Sequence, residues 1–274
     1  MRFKIAAVQF TCSERPEKNL AKAAELALYA IEHGAKVVAF QQLFHLPWFL
    51  ADKGDEGFAF AEGLDGPAVT LMREIAAKGD AVIVCPIFEK ADDGKYYNTA
   101  VVIDADGTVA GKYRKVHIPD IPLWREKSYF SPGSEFPVIQ TKHLKIGVQL
   151  CWDIFFPEGF RALALKGAQL IVVPTAAAFA TAKKWERMAA AAATSNGVYV
   201  LRVNRVGGSE RQRFYGRSFL VNPFGETPVE PTGKSDCVFL TDYDSDELEE
   251  ARELWNFFGD RRPEAYGDLV EGTV

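Results

Sequence analysis

Long apolar runs and basic stretches are missing from this sequence of 274 residues. No apolar run approaches the roughly 18 residues that cross a membrane. The formal net charge is −5, and no segment is rich in lysine or arginine, so nothing indicates a nucleic-acid or membrane-surface partner. The apolar stretch near the N-terminus is typical of a strand, and no small-residue cleavage site follows it. We therefore expect no signal peptide.

Cysteine is also scarce, and no cofactor motif is present. The four thiols, at Cys12, Cys85, Cys151 and Cys237, are far apart and form no CxxC pair, which argues against a disulfide framework or a zinc site. No GxGxxG follows a strand, and the sequence has neither a Walker loop nor a spaced set of His and Cys ligands. We expect a cytoplasmic protein that uses no metal and no cofactor.

Apolar runs of strand length recur along the chain, and helical patterns lie between several of them. The runs cover 3–10, 36–40, 81–89, 99–104, 145–153, 169–175, 198–206, 218–223 and 237–243. The helical patterns cover 16–33, 66–78, 158–166, 183–196 and 244–256. Several runs are continuous rather than alternating, which predicts strands buried on both faces. DADG at 104–107 predicts a hairpin turn.

The composition, with 48% hydrophobic and 25% charged residues, allows a sizeable core. No repeat, low-complexity segment or linker divides the chain. The pattern predicts a single α/β domain over 1–270, with a mixed sheet system and helices outside it. The last residues, 271–274, are expected to fray.

The stretch KIGVQLCWDIFFPE places Cys151 between an apolar strand and a helix. A strand-to-helix turn exposes a side chain at a sheet edge, where backbone N–H groups can hold an oxyanion. A thiol at such a turn can act as a nucleophile. The alternative is a buried structural cysteine, which is the common fate of a free thiol.

Two further segments carry candidate catalytic groups. Lys115 lies in GKYRKVHIPD on an amphipathic strand, where the alternative is a solvated lysine. His117 in the same segment could be a general base or a satisfied structural residue. Glu126 lies just before aromatic residues in LWREKSYFSPG and could be a buried partner of Lys115. Its alternative is a surface ion pair with Arg125 or Lys127.

Taken in order, these segments belong to a longer set of motifs. The sequence resembles the nitrilase superfamily of carbon–nitrogen hydrolases nearly from end to end, and it looks most like the branch of N-carbamoyl amidohydrolases that includes N-carbamoylputrescine amidase. The motifs that carry the resemblance are AAVQF, QLF, FEK with YNTAVVID, DGTVAGKYRKVHIPD, EKSYFSPG, IGVQLCWDIFFPE, ALKGAQLIVVPT, GRSFLVNPFGE and DRRPEAY.

The resemblance implies a four-layer α-β-β-α sandwich that forms homodimers or larger homo-oligomers. It also implies thiol chemistry in which Cys151 of CWD is the nucleophile, Lys115 of YRKxH is the lysine and Glu126 of EKxYF is the second glutamate. In the implied mechanism the thiolate attacks a carbonyl or nitrile carbon. Lys115 and the backbone N–H of Trp152 stabilise the developing charge, and water then hydrolyses the thioester.

The first glutamate of the family belongs in a segment that usually reads ELF, and here Gln42 holds that position. A glutamine cannot accept the thiol proton, and the loss of a general base typically slows a reaction about 10²- to 10⁴-fold. Three explanations remain open. The glutamine could be a deliberate substitution that traps an acyl-enzyme, a natural variant in which Glu126 is the base, or the mark of a pseudoenzyme. Neighbouring Gln41 does not distinguish them.

The resemblance implies a small-molecule substrate with a C–N bond: an amide, an N-carbamoyl compound or a nitrile. The candidate pocket residues are Trp48, Trp124, Trp152, Phe155 and Thr175; the alternative for the aromatic rings is core packing. Similar enzymes that cleave N-carbamoyl-D-amino acids carry an arginine pair shortly after the nucleophile, which clamps a carboxylate. No such pair is present here, so the resemblance implies a substrate without an essential carboxylate, or one with an apolar or aromatic tail. The alanines after Thr175 argue against a cationic tail. The competing hypothesis is a catalytically dead binding protein with the same fold.

Overall fold

The structure is a computed structural model that describes residues 1–178 and 181–271. The strands are β1 (Arg2–Gln9), β2 (Ala35–Phe40), β3 (Val82–Lys90), β4 (Tyr96–Ile103), β5 (Val109–Arg114), β6 (Ile139–Gln140), β7 (Lys145–Val148), β8 (Leu170–Thr175), β9 (Tyr199–Asn204), β10 (Val206–Gly208), β11 (Arg213–Tyr215), β12 (Phe219–Val221) and β13 (Cys237–Asp244). The helices are α1 (Pro16–Glu32), α2 (Pro67–Gly79), α3 (Pro157–Leu165), α4 (Ala182–Asn196), α5 (Ser245–Leu254) and α6 (Asp268–Glu271).

Two sheets lie face to face between layers of helices. One sheet has the strand order β13-β1-β2-β3-β4-β5 and the other has the order β12-β9-β8-β7-β6. The apolar cluster between them joins Ile5 and Val37 of the first sheet to Ile146 and Leu170 of the second. Helices α1 and α2 cover the outer face of the first sheet, and α3 and α4 cover that of the second. The predicted four-layer α-β-β-α sandwich is therefore confirmed.

Strand β1 shows why its apolar run is continuous. Ile5 and Ala7 belong to the cluster between the sheets, whereas Ala6 and Val8 pack in the cluster with α1 and α2. Successive side chains of a strand point to opposite faces, so a strand covered on both sides needs apolar residues at every position.

The five predicted helices are present with ends that agree to within two residues. Prolines occupy the first turns of α1, α2 and α3, where the missing N–H costs nothing. The predicted hairpin is also present, because β4 pairs antiparallel with β5 across the DADG turn. Short α6 lies beyond the predicted set. Apart from Glu271, which ends α6, the expected frayed tail lies outside the described residues.

Two strands end earlier than the sequence pattern predicted. As a result, Cys151 and Lys115 lie in the segments that follow the strands. The run 145–153 becomes β7, which stops at Val148, and Cys151–Phe155 forms a 3-10 turn instead. Strand β5 stops at Arg114, so Lys115 follows the strand rather than lying on it. No helix within the described ranges is long and apolar enough to cross a bilayer.

Candidate active site

Cys151 begins the 3-10 turn that links β7 to α3. Its φ is +51°, a left-handed conformation that non-glycine residues seldom adopt and that recurs at functional sites. The residue is only 4% exposed. A hydrogen bond fixes the start of this turn, because the backbone N–H of Leu150 donates to Asp153 Oδ2 at 2.8 Å. The strand-to-helix turn expected around Cys151 is therefore present, with a strained backbone at the thiol.

Lys115 and Glu126 form an ion pair that is completely buried. The Nζ atom lies 2.8 Å from Oε1 and 2.6 Å from Oε2 of the carboxylate. The two surface alternatives are therefore wrong: Lys115 is not solvated, and Arg125 pairs with Asp120 instead of Glu126. Burial of a charged pair in this way requires tight geometry, because each ion alone would be costly to remove from water.

Two amide side chains complete the surroundings of Glu126. Gln42 Nε2 donates to Oε1 at 3.3 Å, and Asn98 Nδ2 donates to Oε2 at 3.4 Å. Both amides are fully buried. Their oxygens, Gln42 Oε1 and Asn98 Oδ1, have no hydrogen-bond partner among the described residues. Glu126 is thus held by one ammonium group and two amide donors, and two buried acceptors remain beside it.

The two adjacent glutamines have different surroundings. Gln41 bridges the backbone of Phe10, accepting from its N–H at 2.9 Å and donating to its carbonyl at 2.8 Å. Gln42 points instead to Glu126. The chain turns sharply just after them, since Leu43 has a φ of +49°. Gln41 therefore ties β2 to the chain after β1, while Gln42 belongs to the buried polar group around Lys115.

Asp153 joins the Cys151 turn to the segment that carries Lys115. Its carboxylate accepts from the hydroxyl of Tyr113 at 2.7 Å and from the backbone N–H of His117 at 2.9 Å, and it lies 2.7 Å from His117 Nδ1. The ring of His117 also stacks on Phe156. These contacts match the structural alternative for His117. They also fix the spacing between the turn and the residues on either side of Lys115.

The electrostatics of the pair and the thiol oppose one another. Burial is the largest single effect and lowers the pKa of Lys115, but the charges of Glu126, Cys151 and Asp153 and the hydrogen bond to Glu126 together hold this pKa above its usual value. Burial raises the pKa of the Cys151 thiol; the ammonium of Lys115 opposes this effect and the carboxylate of Glu126 adds to it. Lys115 is therefore charged at neutral pH, and its charge favours the thiolate form of Cys151.

Cys151 opens into a cavity of about 230 Å³. Aromatic side chains form much of its wall: Trp124, Trp152, Phe155 and Trp185. The indole N–H of Trp124 donates to the carbonyl of Ala176 at 2.9 Å, which fixes that ring. Three sequence-predicted pocket residues, Trp124, Trp152 and Phe155, therefore lie beside the thiol.

Two predicted pocket residues lie elsewhere. Trp48 stands behind Trp124 in an edge contact, with its indole N–H bound to the carbonyl of Leu123. Thr175 is completely buried at the end of β8, and its hydroxyl donates to the carbonyl of Val173 at 2.9 Å. Neither contributes to the cavity wall. The three alanines at 176–178 supply that part of the wall, as small apolar surface.

Arg205 holds the loop that carries Gln42. Its guanidinium donates to the carbonyls of Gln42 at 3.2 Å, Leu43 at 2.9 Å and Leu46 at 2.9 Å. The side chain is almost completely buried, and no carboxylate within the described ranges pairs with it. Three charge-assisted bonds to backbone oxygens make this loop rigid at a point where Leu43 is strained.

Several residues of the site escaped the sequence analysis. Asn98, Arg205, Lys184 and Trp185 lie far from Cys151 in the sequence and belong to no local pattern of charge or spacing. Asn98 lies in the YNTAVVID motif and Arg205 in the apolar run 198–206, but neither residue was assigned a role. Within the described ranges, no three His, Cys, Asp or Glu side chains cluster so that they could hold a metal ion.

The candidate active site thus combines a buried thiol on a strained turn, a buried ammonium group and a small cavity, on an α-β-β-α sandwich. The model of the carbon-nitrogen hydrolase family matches residues 4–253. The chain belongs to this family, within the nitrilase superfamily.

Three similar proteins place the chain within the family. It is 37% identical to the N-carbamoylputrescine amidase of Solanum lycopersicum, over 97% of this chain and 94% of that protein. It superposes on the carbon-nitrogen hydrolase of Helicobacter pylori G27 with a TM-score of 0.95 and 30% identity, over 100% of both chains. A variant of the amidase from Nesterenkonia sp. AN1 superposes with a TM-score of 0.81 and 26% identity, over 97% of this chain and 96% of that chain. That variant carries Gln in place of a Glu and has the acetamide moiety of fluoroacetamide added covalently at its active site cysteine.

Proposed function

We propose that this carbon–nitrogen hydrolase cleaves a small amide, N-carbamoyl compound or nitrile through a covalent intermediate on Cys151. The observation that carries the proposal is the placement of the thiol. Cys151 lies on a strained turn in a cavity, and its pKa responds to the buried Lys115–Glu126 pair. The relatives named as amidases support the same class of reaction.

For an amide or N-carbamoyl substrate, the Sγ atom of Cys151 forms a bond to the carbonyl carbon and the C–N bond breaks. The leaving nitrogen departs as an amine or ammonia with the thiol proton. One water then adds to the thioester, and the acid product leaves as the thiol is restored. Lys115 supplies positive charge where the oxyanion develops, and the backbone N–H of Trp152 is the proposed second donor.

Gln42 changes the proton transfers of this scheme. It holds the position of the family's first glutamate but cannot take a proton, so we infer that the chemistry is weakened or altered. Glu126 remains as the one carboxylate bound to Lys115 in the described part of the chain, and it is the candidate base. The Nesterenkonia variant, in which a Gln replaces a Glu, still carries a covalent group on its cysteine. This supports formation of an adduct without the carboxylate.

The test compares this chain with its Gln42→Glu variant by intact-protein mass spectrometry after mixing with N-carbamoyl amines, amides and nitriles. Accumulation of an acyl adduct on Cys151 only in the glutamine form identifies the glutamine as a trap. Free turnover by the glutamine form supports Glu126 as the base. The absence of any adduct or product from both forms contradicts the proposal.

The second candidate function is a binding protein with a catalytically dead site. The missing carboxylate at Gln42 favours it, as do the two unpartnered amide oxygens beside Glu126, which can accept from a bound ligand. Iodoacetamide distinguishes the two functions. If Cys151 reacts no faster than Cys85, which is completely buried, the binding function gains support.

We also infer that the chain is one domain that forms a homodimer or larger homo-oligomer in the cytoplasm. The support is the family resemblance, together with large apolar side chains that stay exposed in the C-terminal part of the chain: Leu254, Trp255 and Leu269 are 65%, 55% and 69% exposed. Apolar side chains that form a contiguous exposed patch mark association surfaces. A monomer by light scattering at micromolar concentration would contradict the inference. The four unpaired thiols agree with a reducing compartment.

A further inference from the structure

The cavity at Cys151 has a marked charge asymmetry. Among the described residues that form its wall, Lys184 is the one charged side chain; the others are apolar, aromatic or uncharged. Lys184 lies in the first turn of α4, and the next residue, Trp185, lines the same cavity. A cationic group therefore stands at the open side of a cavity whose closed side holds the thiol.

No acidic group within the described ranges neutralises Lys184. Its Nζ lies 5.0 Å from the centre of the Phe155 ring, and no carboxylate lies within ion-pair distance of it. The nearest acidic residue along the helix, Glu186, is bound to Arg217 at 2.6 Å. The first turn of α4 has no acidic residue. A positive charge near a helix N-terminus destabilises the helix, so the ammonium group of Lys184 does not stabilise α4.

A second cation, Arg202, lies on the interior side of the cavity wall and adds to the positive electrostatic potential there. Arg202 is completely buried on β9, and its guanidinium lies 4.8 Å from the centre of the Trp185 ring. Its hydrogen bonds go to neutral groups, the carbonyl of Arg217 and the hydroxyl of Tyr215, both at 3.1 Å. The carboxylate of Glu186 acts on Arg202 only through its charge, and burial lowers the pKa of Arg202 more than this charge raises it. The charge of Arg202 also lowers the pKa of Cys151, a smaller effect than that of burial, which raises it. Both cations come from elements outside the Cys151 turn.

From this arrangement we propose that the cavity selects substrates whose far end is a carboxylate, bound by Lys184, and that it rejects substrates with a cationic tail. The proposal rests on the hydrolase function and names the substrate class of the same site. One ammonium group adds affinity without forming the bidentate clamp that arginines provide. A carboxylate is therefore favoured rather than essential, which refines the expectation from the sequence.

The test uses three ureas of similar length that differ in the charge of the tail: 4-ureidobutyrate, butylurea and N-carbamoylputrescine. Two rates are measured with the full chain and its Gln42→Glu variant. The first is release of the amine product or growth of the carbamoyl adduct on Cys151. The second is protection of Cys151 from iodoacetamide, which reports binding without turnover. A pair of unit charges about 4 Å apart changes an affinity about fivefold even in water. We therefore expect the measured rate or protection to differ about fivefold between the anionic and the neutral urea, and again between the neutral and the cationic one.

Matched variants assign the preference to one side chain. Lys184→Glu reverses the order of the three ureas, whereas Lys183→Glu, an equal charge change at an exposed neighbour outside the cavity wall, leaves the order intact. The preference shrinks in high salt, because the mouth of the cavity is open to screening.

The outcomes separate the two proposals. The substrate class is supported if protection or reaction is strongest for the anionic urea, weaker for the neutral one and weakest for the cationic one, and if Lys184→Glu reverses this order. Equal protection and equal rates for the three ureas, or a preference for N-carbamoylputrescine, overturn it. If protection follows the charge order but no urea, amide or nitrile ever reacts in either form, the hydrolase function fails while the binding preference stands.

Discussion

Lys115 and Glu126 are bound to each other inside the protein, with the ammonium nitrogen 2.8 and 2.6 Å from the two carboxylate oxygens. Neither side chain is exposed. The pair is the electrostatic centre of the site, because the charge of Lys115 lowers the pKa of Cys151 while that of Glu126 raises it.

Glu126→Gln tests what the pair contributes to stability. The substitution keeps the shape but leaves the Lys115 ammonium buried without a counter-charge, so we expect the free energy of unfolding to fall by about 3–5 kcal/mol. The control is Glu186→Gln, which breaks a partly exposed pair with Arg217 and should cost at most about 1 kcal/mol. Urea unfolding measures both. Equal losses would show that burial of the first pair has no energetic consequence.

Gln42→Glu tests the missing base. If the glutamine limits turnover, restoring the carboxylate should raise the rate of hydrolysis about 10²- to 10⁴-fold. Gln41→Glu is the matched control, since Gln41 binds the backbone of Phe10 and does not contact Glu126. It should lose stability without gaining activity. If Gln42→Glu leaves the rate of hydrolysis unchanged, the glutamine does not limit turnover.

The pH dependence of alkylation tests the state of the thiol. Burial raises the pKa of Cys151, with Lys115 opposing it, so the net pKa lies above its usual value. The thiolate is the reactive form, so its fraction at neutral pH is below that of a free thiol and grows as pH rises. We expect the iodoacetamide rate of Cys151 to increase about tenfold per pH unit through neutrality, without a plateau below the usual thiol pKa of about 8.5. A plateau below this value would show a thiolate stabilised more strongly than the contacts indicate.

Cys85 serves as the internal reference for that experiment. Burial and, after it, the charge of Glu62 raise the pKa of Cys85 well above its usual value, and no cation in the described part of the chain opposes the shift. Peptide mapping by mass spectrometry resolves the two rates in one sample. Cys151 should react faster at every pH, because it faces a cavity and a lysine.

Asp153→Asn tests the link between the thiol turn and the lysine. The buried carboxylate accepts hydrogen bonds from Leu150, Tyr113 and His117, and an amide cannot accept all of them. We expect a loss of about 3 kcal/mol in unfolding free energy and about 100-fold slower adduct formation, since small misplacements of reacting groups have effects of this size. Tyr113→Phe removes one donor and should have a clearly smaller effect on both. If the two variants behave alike, Asp153 does not align the site.

Arg205→Met tests the support of the Gln42 loop. The change removes three bonds to backbone carbonyls, of Gln42, Leu43 and Leu46, and leaves those oxygens buried. The expected loss is on the order of 3 kcal/mol. Arg211→Met is the comparison, because Arg211 pairs with Asp52 at the surface and should contribute at most about 1 kcal/mol. Thermal or urea unfolding decides, and equal effects would contradict the role of Arg205.

Much of the architecture could be predicted from local patterns. Continuous apolar runs predicted strands covered on both faces, and β1 shows the reason, with alternate residues in two different clusters. Proline at the first helical turn and the 3.6-residue period located α1 to within one residue. These signals are local, because side-chain direction follows directly from backbone geometry.

The turn of the candidate nucleophile and the unusual glutamine could also be predicted from local sequence. Cys151 was placed after a strand and before α3, and Gln42 was recognised as uncharged where a carboxylate is expected. Which of these groups contact each other could not be predicted, because it depends on the three-dimensional fold. Gln42 and Glu126 are 84 residues apart, and Lys184 reaches the Cys151 cavity from a different element. Hydrophobic periodicity specifies which face of an element is buried, but it carries no information on which distant side chains share that interior. For the same reason Trp48 and Thr175 were predicted in the pocket and lie outside it, while burial changed Lys115 from a candidate surface charge into the centre of the site.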